Sequence, residues 1–152
     1  MFTSTATLQV RRPVTEVFGF IEDARNRPQW DDTVVSEELT SPEPIAVGTT
    51  VATRLRSMGR EYTYTWVVTE HQAPQRMTIG SVTGPMPTTL HFVLSGDENA
   101  TTIDFTVTGR PSGFLRLMQP LMARSTQRNL TRNFARLGQL LETGQVPTPT
   151  AD

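Results

Sequence analysis

Tyr62, Tyr64 and Trp66, three large rings at a spacing of two, are the side chains of this chain best suited to holding another molecule. Residues two apart on a strand share a face. The phenols and the indole would then form one aromatic wall, offering a few hydrogen bonds to a mainly apolar ligand; the same rings also suit ordinary core packing. Thr53, Ser57 and Ser81 add hydroxyls on that side, each equally able to bond nearby backbone. Asp23, Asp31 and Asp32 flank Trp30, where they could serve acid/base work at a cavity mouth or simply cap helices. Asn133 and Thr126 sit on a helical stretch from which either could reach a ligand's polar end.

Several chemistries lack their residues. With no Cys in the chain, disulfides, thiolate zinc sites and cysteine nucleophiles are excluded. His71 and His91 are the only histidines and lack a ligand spacing such as His-x-x-x-His. Strand parity puts His91 on the outer face, and His71 reads as part of a turn before Pro74. Without an inward histidine or a nucleophile–base pair, hydrolase chemistry has no visible apparatus. No catalytic residue, metal ligand or cofactor site is assigned. The segment Gly80–Pro85 is followed by no helix, so it is not a phosphate loop; it reads as a connecting loop near a pocket entrance.

A chain of 152 residues with 36% hydrophobic content suits one domain, expected over 1–144 with a disordered tail over 145–152. The net charge of −1 offers no electrostatic footprint for nucleic acid or an anionic membrane, which needs a basic excess or a clustered patch, so no nucleic-acid partner is expected. All fourteen basic residues are Arg, which reads as codon bias in a GC-rich genome. No signal segment or membrane span is visible, so a cytoplasmic protein is expected. A homodimer is left open.

The elements that must position these residues follow from periodicity. Residues 2–10 alternate as a half-buried strand, and Val14, Val17, Phe18 and Ile21 mark a short helix over 13–22. Arg25–Trp30 forms a second helical segment interrupted near Pro28, and 33–40 another strand. A β region then runs from Thr49 to Gly109. A type II′ turn at Gly59-Arg60 pairs Ser57 with Tyr62, Leu55 with Tyr64, Thr53 with Trp66 and Val51 with Val68. That register turns Leu55, Tyr62, Tyr64 and Trp66 inward and Arg54 and Arg56 outward. Around Gly96–Asn99, Phe92 faces Phe105, Leu90 faces Val107 and Leu94 faces Ile103. From Pro120 to Glu142, a stripe of Ala123, Thr126, Leu130, Phe134, Leu137 and Leu141 opposes Arg124, Arg128, Arg132 and Arg136. Phe114, Leu117, Met118 and Leu121 form an apolar mouth or flap before it.

The order of a first strand, Pro13-x-x-x-Val17, Asp23, Pro28-x-Trp30, Val34, Gly48, Glu70 with Pro74, and a terminal helix ending Leu137-x-x-x-Leu141-Glu142 resembles the START-like (SRPBCC) superfamily. Its polyketide cyclase/dehydrase branch is the nearest in pattern. The resemblance implies an α+β helix-grip fold: a curved antiparallel sheet wrapped around a long C-terminal helix, with two short helices after the first strand. It also implies a cavity for an apolar ligand between sheet and helix. The segment 53–56 with Tyr62, Tyr64 and Trp66 is similar to the hairpin with which aromatic polyketide cyclases line their pockets, there with Arg and Tyr positioning the substrate. The outward Arg54 and Arg56 depart from that pattern.

The leading expectation is therefore a protein that binds a hydrophobic or aromatic, polyketide- or lipid-like molecule. Its expected site comprises Thr53, Leu55, Tyr62, Tyr64, Trp66, Ser81, Phe92, Phe105, Thr126, Leu130, Asn133 and Phe134. A cyclase or dehydratase using the same cavity, and a protein-interaction module without a ligand, are the alternatives.

Overall fold

The computed structural model describes residues 1–57 and 59–143, so the expected tail over 145–152 lies outside the described residues. Strands β1 (Phe2–Val10), β2 (Val34–Leu39), β3 (Thr50–Ser57), β4 (Arg60–Gln72), β5 (Arg76–Thr83), β6 (Thr88–Gly96) and β7 (Thr101–Gly109) form one antiparallel sheet. Its order is β1-β7-β6-β5-β4-β3-β2, curled into a half-barrel. After β1 come α1 (Val14–Glu22), a 3-10 turn (Ala24–Asn26) and α2 (Arg27–Trp30). A 3-10 segment (Gly113–Met118) leads into the long α3 (Gln119–Thr143). This is the α+β helix-grip architecture.

Alternation explains the sheet and a 3.6-residue stripe explains the helix. Phe2, Ser4 and Val10 of β1 are buried while the threonines between them face out. Leu130, Phe134, Leu137 and Leu141 recur on one side of α3 and are all buried. Stacked Phe92 and Phe105 lie 4.2 Å apart, and Phe134 stacks on Phe105 at 5.5 Å. Trp30 meets Phe134 edge-on at 6.0 Å. This aromatic column links α3 and α2 to strands β6 and β7.

Strand β1 is an edge, with backbone groups that need partners. Gln127 of α3 supplies them: its Oε1 accepts from the Thr5 N–H at 3.2 Å and its Nε2 donates to the Thr5 carbonyl at 2.9 Å. Gln119 donates to the Met1 carbonyl at 2.9 Å in the same way. The helix runs so close to the strand that a Cβ at Gly138 would stand 3.0 Å from Leu8 Cδ1.

The β6–β7 register matches the expected pairs Leu90–Val107, Phe92–Phe105 and Leu94–Ile103. The β3–β4 register differs by two residues: Ser57 pairs with Arg60, Leu55 with Tyr62, Thr53 with Tyr64 and Val51 with Trp66. Gly59, at φ +77°, occupies the second turn position rather than the first. Moving a turn by one residue shifts the pairing by two, so the inward and outward sets survive. Arg54 and Arg56 accordingly lie outside, both bonded to Glu61 at 2.6 and 3.3 Å. The expected loop at Gly80–Pro85 is also corrected, because Gly80 to Thr83 extend β5 and pair with β4. The expected helical segment over 25–30 is divided just before Pro28 into the 3-10 turn and α2, with Pro28 in the first turn of α2.

Candidate functional site

Two bulges decide which titratable groups face inward. In β2, Val34 pairs with Leu55 and Ser36 with Arg54, so one residue of β2 is left over between them. Unbroken alternation from Val34 would turn Glu37 outward. The bulge reverses the parity, and Glu37 instead sits opposite the buried Thr53 with its side chain 5% exposed. A second irregularity between Val68 and Glu70 does the same for His71, which pairs with the buried Met77. The expectation of a turn histidine is thus corrected: His71 lies in β4, and its Nε2 is 2.7 Å from Glu22 Oε2 on α1.

Glu37 belongs to a buried polar cluster. The Arg27 guanidinium donates through Nε and Nη2 to Asp31 Oδ2, both at 3.2 Å, and its Nε lies 3.9 Å from Glu37 Oε2. Arg27 also stands 5.8 Å above the Trp30 ring. The other Asp31 oxygen accepts from the Thr33 hydroxyl at 2.6 Å and from Asn133 Nδ2 of α3 at 2.9 Å. On the sheet side, Trp66 Nε1–H donates to the Thr53 hydroxyl at 3.0 Å, next to Glu37. Among the described residues, Glu37 Oε2 is the buried side-chain oxygen left without a hydrogen bond.

The electrostatics follow from a count of charges: one buried cation serves two buried carboxylates. Burial pushes Glu37 up from 4.5 to about 7; Arg27 opposes the shift, Asp31 adds to it, and the Thr53 hydroxyl favours the ionised form. Burial works against the charge on Arg27, but Glu37 and Asp31 outweigh it and hold its pKa above the ordinary value. A proton on Glu37 leaves the cluster neutral. Between pH 4.5 and about 7 the folded protein retains that proton while the unfolded chain has lost it. This stabilising contribution is therefore full below pH 4.5 and is lost as pH rises through about 7. At ~1.4 kcal/mol per pH unit the loss totals roughly 3 kcal/mol. Glu37→Gln should flatten that slope in urea titrations followed across pH.

Arg27 and Glu37 of this cluster line a narrow cavity of about 20 Å³, the room of a single water. The cavity lies between the short helices and strands β2 to β6, with Ile21, Trp30, Val51, Val68, Met77 and Phe92 among its apolar walls. It is not beneath α3, where the aromatic column stands. Glu22, bonded to His71, also lines it. Among the described residues no group of acids and histidines has the arrangement of a metal site.

Of the expected site residues, Phe92 lines this cavity; Thr53, which pairs with Glu37, and Trp66, which donates to Thr53, are not among its walls. Tyr64 is buried and stacks on Trp66 at 4.8 Å, its hydroxyl 3.5 Å from Thr88 Oγ1. The backbone at Gly84 presses on the Tyr64 ring so closely that a Cβ there would collide with it. Tyr62, Leu55 and Thr126 are half-buried. Ser81 accepts from the Thr88 N–H at 2.8 Å, tying β5 to β6. Phe105, Leu130 and Phe134 are core, and Asn133 holds Asp31. Asp23 caps the 3-10 turn by accepting from the Arg25 N–H, and Asp32 forms a bidentate pair with Arg132 at 2.8 Å. His91, on the outer face, bonds the Thr78 hydroxyl.

The family described as polyketide cyclase / dehydrase and lipid transport matches residues 1–142. This chain belongs to that family. The cyclase/dehydrase-family fold is also seen in solved structures of low identity, which speak to architecture alone. An aromatase/cyclase, ZhuI, of Streptomyces sp. R1128 superposes with a TM-score of 0.73 at 14% identity, covering 88% of this chain and 89% of its own. A START superfamily protein of Mycobacterium smegmatis gives 0.72 at 12% identity over 94% and 99%. A protein of Thermus thermophilus gives 0.70 at 18% identity over 88% and 95%. No curated protein matched. Among the described residues of this family member, no helix is long and apolar enough to cross a membrane.

Proposed function

We propose that the protein binds a small, mainly apolar molecule bearing a hydrogen-bond acceptor, seated against Glu37 in the cavity between the short helices and the sheet. The observation that carries this reading is the buried Glu37 Oε2 without a partner, on a cavity whose other walls are mostly apolar. An unsatisfied buried oxygen costs stability. A ligand carbonyl accepting from the protonated carboxyl would relieve that cost.

The family description and the cyclase and START neighbours support a ligand of polyketide or lipid type. The cavity has room for only about 20 Å³, so entry requires the short helices α1 and α2 to move away from the sheet. Burial of apolar surface at about 25 cal/mol per Å² drives that opening. In this reading Thr53 and Trp66 orient Glu37. Tyr62, Leu55, Tyr64, Ser81, Phe92, Thr126 and Asn133 meet parts of a larger ligand, with Phe105, Leu130 and Phe134 behind them.

A second reading rests on the Glu37 carboxyl at about 7, a value suited to general acid/base work. It makes the protein a cyclase or dehydratase in which Glu37 moves a proton at a ligand carbonyl. Native mass spectrometry of freshly isolated protein, followed by extraction, should reveal a bound apolar molecule. In thermal-shift titrations, 2-acetylnaphthalene should stabilise the protein more than naphthalene does, and Glu37→Leu should abolish the difference, about tenfold in affinity. Equal stabilisation by both probes would remove Glu37 from the site. Turnover of a co-purified molecule would select the enzymatic reading.

A further inference from the structure

The outward side of the helical stretch remains unexplained by the cavity. Phe114, Leu117 and Leu121 are 76, 78 and 59% exposed. Phe114 and Leu117 are three residues apart on the 3-10 segment, so they stand on one side of it. On α3, Leu121, Arg124 and Arg128 fall within an arc of about 60° at 100° per residue, opposite the buried Leu130, Phe134 and Leu137.

Charge separates along the chain in the same place. Residues 105–141 contain six arginines and no acidic residue, although the whole chain carries a net charge of −1. Arg132 is taken up by Asp32. Among the described residues Arg116, Arg124 and Arg128 have no carboxylate partner and are exposed.

We infer that this stripe, with Phe114, Leu117 and Leu121 as its tip and Arg116, Arg124 and Arg128 beside and behind it, docks the protein on an anionic lipid surface. Apolar side chains that protrude from a convex helix suit the boundary between headgroups and acyl chains, where such helices settle to about 5–10 Å. Guanidinium groups along the same side meet lipid phosphates in bidentate fashion. Neither signal alone holds a protein to a bilayer, and here both occur among the exposed residues of one helical stretch, 113–128. The inward side of α3 is already packed, so docking requires no unfolding. This surface is separate from the cavity, and its role stands whether or not Glu37 contacts a ligand.

The test is co-sedimentation of the full chain with vesicles of phosphatidylcholine alone and of a two-to-one mixture with phosphatidylglycerol. Binding should occur on the mixed vesicles, weaken with added salt and be slight on the neutral ones. Arg124→Gln with Arg128→Gln should reduce it by an order of magnitude or more, at about fivefold per arginine. Leu117→Gln with Leu121→Gln should reduce it comparably while leaving the melting curve unchanged. Leu117→Trp gives a second readout, its emission shifting to the blue on mixed vesicles. Equal binding to both vesicle types, no binding, or binding indifferent to the leucine pair would overturn the inference. So would a concentration-dependent dimer, seen by light scattering, that the leucine pair dissolves in the absence of vesicle binding.

Discussion

Arg27→Met should cost about 3–5 kcal/mol of stability near pH 8, the effect of removing one partner from a buried ionic group. The Arg27 side chain is 15% exposed and is the cation within 4 Å of both Asp31 and Glu37. Without it two buried carboxylates face each other uncompensated, and the Glu37 carboxyl, already raised by burial, is pushed further up. Groups with raised folded values stabilise below the unfolded pKa and lose that contribution as pH rises. The deficit of the variant should therefore shrink markedly between pH 8 and pH 5 in urea denaturation. Adding Glu37→Leu should recover part of the loss at pH 8, because one of the stranded charges is gone. A deficit that is constant across pH would mean that Arg27 stabilises by packing on Trp30, at 5.8 Å from its ring, rather than by charge.

Phe134→Ala should cost a similar 3–5 kcal/mol for a different reason. Its ring joins α3 to the sheet by stacking on Phe105 and holds Trp30 of α2 edge-on. Those neighbours belong to two separate elements, β7 and α2, so collapse into the void is limited and most of the cavity cost remains. The new void should be dry and aromatic-lined. Benzene should raise the melting temperature of Phe134→Ala and leave the parent protein unchanged. Calorimetry with and without benzene would show this. A loss below ~1 kcal/mol would mean that the short helices and α3 repack freely.

The fold was legible where one pattern persists over a whole element. The alternation in β1, the paired apolar sets around Gly96–Asn99 and the stripe from Leu130 to Leu141 each bury what periodicity assigns inward. Even the two-residue register error at Gly59 left the faces intact, because parity and not partner identity sets the side. The site was less legible. Glu37 lies in Val-Val-Ser-Glu-Glu-Leu, where nothing local marks a bulge; pairing with Leu55 and Arg54 of β3 creates it. His71 is turned inward by the irregularity between Val68 and Glu70 in the same way. Asp31 reads as a capping residue because the donor that buries it, Asn133, is 102 residues away. Polar groups made interior by a parity change and by contacts distant in sequence are the ones that periodicity misses. They are also the groups that give an otherwise apolar interior its chemistry.

The central claim is that Glu37 carries a proton near neutral pH, poised at an apolar cavity. The direct test is a carbon-detected NMR titration of the side-chain carboxyl carbons, with Glu37 assigned through Glu37→Gln. The Glu37 signal should titrate with a midpoint of about 7. A midpoint at the ordinary 4.5 would show a solvated, ionised carboxylate and contradict the account of the site.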